Sequence, residues 1–361
     1  MRSVSHAALL LAVGFCAGTV FTNTAAAQFE KAKDAVAVVE VLDENWVLSR
    51  KIMDRKISQR ERDAELGRVR IKQPFRLLVS GVAVAPNEIV VPALHPTAPL
   101  HIMVRFRDGK TVKAQVVGND PRSNLALLRT PSSAPAHLTT ANKHVVDDQW
   151  IALIGHRTLT PAVGRGVVTH PRLGVRTRDI YGVRNGRSLA IGTAFFAATN
   201  TRVINPGSAC LDEKGQLAGV VLGCAPTMAM PGARPGLTGT FVLPGDRVAK
   251  ILKCLREHGK VRRADFGMSV MAVPEAMLAH FPELPPGAGN VVRVAKNGPA
   301  AKAGVRVNDV VIAINDRKPR DIHALREAMC DCTSKKGTKI SVLRAGETMS
   351  FDVTPTVEPT R

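Results

Sequence analysis

The sequence predicts a mainly β protein, a barrel or sandwich of short strands followed by a small α/β module. Three observations predict it. From Phe75 to about Leu243, short Val- and Ile-rich runs recur between Gly, Pro, Asn and Asp turns, which is the texture of an all-β barrel or sandwich. From about Val261 to Pro355, strand-like runs mix instead with short helical patterns, which marks a separate unit. Aromatic residues make up only 4 % of the 361 residues, so the cores must be built from Val, Leu, Ile and Ala.

Taken in order, residues 28–74 form an N-terminal segment. Within it, Ala35–Val41 is short, apolar and β-like, and Leu42–Arg68 is charge-rich with spaced apolar residues, the pattern of an exposed helix. Strands are expected at Leu77–Val84, Ile89–Val91, His101–Phe106, Val112–Val117 and Leu125–Arg129. Further strands are expected at Trp150–Ile154, Gly166–Thr169 and Leu217–Leu222. Arg247–His258 reads as a helix, because Val248, Ile251, Leu252 and Leu255 recur on one face. The basic stretch Lys260–Arg263 is the linker, which sets the domains at 75–259 and 260–356. The second unit carries strands at Asn290–Val294, Asp309–Ile314 and Lys339–Leu343 and a helix at Ile322–Met329.

The first 27 residues read as a secretory signal. Arg2 supplies the positive end, Ala7–Val20 the apolar run, and Ala25-Ala26-Ala27 an A-x-A cleavage site with the mature start near Gln28. The apolar run is short for a spanning helix, so a secreted or periplasmic location is expected. Of six cysteines, Cys16 leaves with the signal. The remaining Cys210, Cys224, Cys254, Cys330 and Cys332 are odd in number, which leaves at least one free or intermolecular thiol. Cys210 and Cys224 flank a hairpin with its turn at Asp212–Gly215, so a disulfide between them is open at this point. Lys and Arg number 50 against 30 Asp and Glu, a formal charge of +20, which favours acidic partners. The basic residues are scattered and no nucleic-acid-binding motif accompanies them, so nucleic acid is not an expected partner, while an anionic surface remains open. The chain has no phosphate-binding glycine loop, no His-Glu-x-x-His and no Cys-x-x-Cys, and no cofactor or metal is expected.

Several separated motifs, in order, resemble the HtrA/Deg serine proteases. They are Ser80-Gly81-Val82, Val90-Val91-Pro92-Ala93-Leu94-His95, Asp120-Pro121-Arg122-Ser123-Asn124-Leu125-Ala126-Leu127, Ala152-Leu153-Ile154-Gly155, Gly164-Arg165-Gly166-Val167-Val168 and Ile204-Asn205-Pro206-Gly207. In the last unit, Gly298-Pro299-Ala300-Ala301-Lys302-Ala303-Gly304 followed by Asn308-Asp309-Val310-Val311 resembles a PDZ domain. The resemblance implies a trypsin-like double β-barrel followed by a C-terminal PDZ domain. It also implies catalytic positions at His95 for the base, Asn124 for the residue that orients it, and Ser208 for the nucleophile.

Two of those positions depart from the family pattern. Asn124 stands where the family has Asp, and an amide cannot stabilise an imidazolium by charge; in a trypsin-type triad that exchange costs about 10⁴ in kcat. The nucleophile segment reads Asn205-Pro206-Gly207-Ser208-Ala209-Cys210-Leu211 against Asn-Pro-Gly-Asn-Ser-Gly-Gly-(Pro/Ala)-Leu. Anchored upstream, the nucleophile position holds Ala209; anchored downstream, it holds Pro206; Ser208 fits only with a gap beside it. The glycines that shape an oxyanion hole are missing. The PDZ carboxylate loop matches Asp265-Phe266-Gly267-Met268, with Phe266, Gly267 and Met268 as peptide-binding residues and Asp265 opposing an incoming carboxylate.

The sequence therefore favours an exported pseudoprotease that binds unfolded protein or C-terminal peptides, with self-association left open. Two alternatives stand beside it. One is an active endopeptidase using His95, Asn124 and Ser208, and the other is a basic envelope protein that binds polyanions.

Overall fold

The computed structural model describes residues 23–43, 58–68, 76–94, 100–141, 143–157, 159–176, 190–199, 205–226, 238–331 and 337–357, with isolated positions at 47, 51 and 53. The apolar run at Ala7–Val20 lies outside them, and Ala25–Ala27 fall inside helix α1 (Asn23–Asp34). Among the described residues no helix is long and apolar enough to cross a membrane. Of the helix expected over Leu42–Arg68, Gln59–Arg68 form α2, whereas Leu42 and Asp43 end the strand Val36–Asp43.

Two closed antiparallel barrels follow one another. The first is built from β1 (Val36–Asp43), β2 (Arg76–Ala85), β3 (Glu88–Val91), β4 (Leu100–Arg105), β5 (Thr111–Asp120) and β6 (Leu125–Arg129), in the order β1-β2-β3-β6-β5-β4. The strand expected at 35–41 is β1, and its pairing with both β2 and β4 closes this barrel. The second is built from β7 (Trp150–Arg157), β8 (Thr160–Arg176), β9 (Ala190–Thr199), β10 (Ala209–Leu211), β11 (Leu217–Pro226) and β12 (Thr238–Pro244). Its order is β10-β11-β12-β9-β8-β7, closed by β10 on β7.

Burial explains the strand sequences. On β5 the buried residues Ala114, Gly118 and Asp120 are spaced two or four apart, with one face toward solvent and a bulge between Val116 and Gly118 breaking the alternation. β3 and the first four residues of β6 are buried throughout; the apolar runs Ile89–Val91 and Leu125–Leu128 match two covered faces, and the buried Glu88 that opens β3 is paired with Arg129 and Arg256. One core joins the barrels, with Val39, Ile89 and Leu127 of the first packed in the same cluster as Ile154, Leu211 and Leu243 of the second. A separate core of Leu153, Phe195, Cys210 and Val242 fills the second barrel.

Helix α3 (Gly245–His258) buries Val248, Ile251, Leu252 and Leu255 against this joint core, as the periodicity requires. It ends on Gly259 at φ 67°, whose N–H donates to the Leu255 carbonyl.

The last unit is a five-stranded antiparallel sheet of β14 (Met268–Ala272), β15 (Gly289–Val294), β16 (Val310–Ile314), β17 (Thr338–Arg344) and β18 (Glu347–Val353), in that order. A two-stranded ribbon pairs β13 (Ala264–Asp265) with β19 (Thr356–Val357). Helices α4 (Glu275–His280), α5 (Pro299–Ala303) and α6 (Ile322–Asp331) complete it. The Gly-Pro-Ala-Ala-Lys-Ala-Gly motif is helix punctuation: Pro299 opens α5 at its first turn, and Gly304 ends it at φ 97°. Phe266, Val291, Leu325 and Ile340 form the core of this unit.

Cys210 is a buried free thiol, and β-pairing sets Gly219 opposite it rather than Cys224, so the Cys210–Cys224 bridge left open by the sequence does not form. Cys332 lies outside the described residues.

Candidate functional site

Three chain segments meet where the sequence places the site. The first is the turn between β5 and β6. Asp120 closes it by accepting hydrogen bonds from the Ser123 backbone N–H and hydroxyl. The Arg263 guanidinium then grips the same carboxylate through two bonds of 2.9 and 2.6 Å. Burial pushes the Asp120 carboxyl up, but Arg263 and Ser123 outweigh it and hold the group below the usual carboxylate range. Asn124 is buried at φ 56°, and its N–H donates to the Pro121 carbonyl. Asn and Asp both tolerate this left-handed conformation, so the fold accepts either and the difference at 124 is purely chemical.

The second segment leads to His95, which lies outside the described residues, as do 96–99. The chain is described as far as Leu94. There the Asn119 side chain accepts from the Leu94 N–H at 3.0 Å and donates to the Leu94 carbonyl at 2.7 Å. The end of β5 therefore anchors the chain at Leu94, just beyond β3.

The third segment holds Ser208, whose side chain is fully buried. Its hydroxyl donates to the Asn205 carbonyl at 2.7 Å. The Ser208 N–H donates to the same carbonyl at 3.3 Å, and the Gly207 N–H donates to Val221 O at 2.8 Å. Gly207 sits at φ 85°, and a Cβ there would lie 2.0 Å from the Ser80 carbonyl oxygen. A Cβ on Gly155 would lie 1.8 Å from Ser208 Oγ. The Ser80 hydroxyl accepts the His156 N–H at 3.0 Å, and the Ser80 N–H donates to Pro206 O. The segment is thus a tight polar plug between β2 and β7. Both amides that flank the Ser208 position are spent on carbonyls rather than directed at an oxyanion.

The neighbouring candidates are no more open. Ala209 is fully buried in β10, paired with Ile154 and Val220. Burial, with Asp212 adding to it, drives the Cys210 thiol far up, which leaves it un-ionised and inert. Sequence reasoning passed over His156. It is 6 % exposed at the end of β7, burial lowers its pKa to about 4, and its Nδ1 is buried without a hydrogen-bond partner. A histidine directly after the Ile-Gly pair of a strand was the available signal.

In the C-terminal unit the expected peptide-binding residues Phe266, Gly267 and Met268 form the loop that enters β14. Phe266 is 2 % exposed and belongs to the core, so it shapes the loop from beneath. Its carbonyl accepts the Ala300 N–H, and the Gly267 carbonyl accepts the Ala295 N–H at 2.6 Å. Gly267 takes φ 67°, and Met268 opens β14. β14 pairs with β15 on one side only, and α6 flanks it. A sheet edge beside a helix can accept an extended peptide as an added strand.

The C-terminal unit docks on the second barrel. Arg172 of β8 meets Asp321 at 3.0 Å and Glu327 at 3.4 Å, while Lys250 of α3 meets Asp331 at 3.1 Å.

Comparison with known proteins agrees with this architecture. Residues 79–220 match the trypsin-like peptidase domain family and residues 275–354 the PDZ domain family. A probable periplasmic serine endoprotease, DegP-like, of Pseudomonas putida (strain F1) is 25 % identical over 310 residues, covering 84 % of this chain and 60 % of the relative. A protein of the same description from Rickettsia prowazekii is 25 % identical, covering 78 % of this chain and 53 % of the relative. The chain thus spans little more than half the length of these curated relatives. Among solved structures, the HtrA-type protease AlgW with tripeptide has a TM-score of 0.65 at 21 % identity, covering 93 % of this chain and 98 % of that one. The serine endoprotease from Yersinia pestis has a TM-score of 0.57 at 18 % identity, covering 93 % and 98 %. With two closed barrels, a C-terminal PDZ domain and the sequence motifs in order along them, the chain belongs to the HtrA/Deg family.

Proposed function

We propose that this chain is an exported HtrA/Deg-like pseudoprotease that binds extended segments of unfolded protein through the groove between β14 and α6. The observation that carries the reading is the state of Ser208: fully buried, its hydroxyl given to a backbone carbonyl, with its own N–H and that of Gly207 committed to carbonyls. A serine nucleophile needs an accessible hydroxyl bonded to a base and two amides facing the oxyanion. Asn124 removes the carboxylate that would stabilise an imidazolium. The groove keeps the elements of strand addition, an unpaired sheet edge and a flanking helix.

The similarity to proteins described as periplasmic supports export, and the solved AlgW complexes with a tripeptide and a decapeptide support peptide binding. Purified full-length protein is expected to leave casein intact while binding dye-labelled casein fragments. Cleavage of casein that disappears in Ser208→Ala would overturn the pseudoprotease reading.

A further inference from the structure

The loop that opens β14 already carries an anion of its own. Asp265 Oδ1 accepts the Gly267 N–H at 2.8 Å, the amide that a bound terminal carboxylate would need. The backbone of Asp265 is held in place, because β13 pairs it with Thr356 and the Thr356 hydroxyl donates to its carbonyl. Its carboxylate is exposed, so its charge faces any arriving chain end. A second, independent feature lies farther along. Arg326, on the turn of α6 between the core residues Leu325 and Met329, reaches across to β14, and its Nη2 donates to the Val270 carbonyl at 3.0 Å. The groove is therefore negative at the loop and positive at its middle.

The geometry points to a specificity that rests on the peptide-groove reading above: the groove takes segments interior to a polypeptide, bearing an acidic side chain toward α6, and rejects free C-termini. A terminal carboxylate would meet the Asp265 carboxylate and find the Gly267 N–H taken, which places like charges within a few ångströms. A peptide whose chain continues past the loop brings no such charge. Its acidic side chain would pair with Arg326, whose planar guanidinium suits a carboxylate. Such a site reads unfolded stretches anywhere along a client rather than only its last residues.

Fluorescein-labelled decapeptides of Ala, Ser and Val with one central Glu test this, made as free acid and as C-terminal amide and titrated by anisotropy into the full-length protein. The amide should bind about tenfold more tightly than the acid, the scale of one charged hydrogen bond. Asp265→Ala should bring the acid up to the amide. Arg326→Gln should weaken the Glu peptide about tenfold while leaving its Ala counterpart within about twofold. Equal or tighter binding of the free acid by the unaltered protein would overturn the inference and leave peptide binding standing. Failure of every peptide, with the protein folded by circular dichroism, would overturn the groove reading and the inference with it.

Discussion

Ser208 and His156 show how single residues decide what this site can do. The Ser208 hydroxyl is a buried donor with one carbonyl partner. Ser208→Ala should therefore cost about 1–3 kcal/mol of stability, measured by urea unfolding, while changing no proteolytic rate. Asn124→Asp restores the family's carboxylate in a conformation that already suits it, yet the nucleophile segment stays closed. That variant should still leave casein intact.

His156 gives a pH signature. Its imidazole stays neutral in the folded protein until pH falls to about 4, whereas its ordinary value is 6.5. Between those values the unfolded chain holds more protons, so the contribution is fully present above pH 6.5 and is lost as pH falls toward 4. At most about 3 kcal/mol is involved. Urea midpoints at neutral pH and at about pH 4.5 should diverge less in His156→Gln than in the unaltered protein.

At the scale of elements, the end of β5 and the turn to β6 link Leu94, Asn124 and the linker to the PDZ domain. Asp120 and Arg263 form an almost fully enclosed pair, with side chains 6 % and 11 % exposed. Asp120→Ala leaves that guanidinium buried without its anion and should cost about 3–5 kcal/mol in a denaturation series. Arg263→Ala strands the carboxylate instead. The double variant should recover part of the loss, because neither charge is then left alone.

The elements themselves were largely legible. β3 and β6 were readable as apolar runs, and α3 from its four apolar residues on one face. β9 was missed although Phe195 and Phe196 lie at its centre, because Ala and Thr dilute its apolar pattern. β10 is three residues long, too short for any periodicity to show. The Asp120–Arg263 clamp was invisible for a different reason. Its partners are 143 positions apart, and only the fold brings a linker arginine to an Asp-Pro turn.

The molecule as a whole is two barrels sharing one core, with ion pairs crossing the seam between them and the PDZ domain. Arg172, Arg247 and Lys250 face Asp321, Glu327 and Asp331 across the seam. Such partly exposed pairs weaken with salt. Small-angle scattering should therefore report a larger radius of gyration at roughly 1 M salt than at 0.05 M, and Arg172→Glu should enlarge it at low salt. At this scale the sequence was informative about architecture and silent about state. The order of motifs identified the barrels and the PDZ domain, and the shortened segment at 205–211 flagged the altered nucleophile. The Ser208 hydroxyl and N–H turn back to Asn205 within the same loop, but the Gly207 bond to Val221 and the Ser80 bond to Pro206 that close the segment are made only when the fold brings β11 and β2 against it.

Intact-mass spectrometry after incubation with a fluorophosphonate probe tests the closed nucleophile segment most directly. The folded protein should emerge at its unmodified mass. A single adduct mapped to Ser208, absent in Ser208→Ala, would contradict the account and make this chain a working serine peptidase.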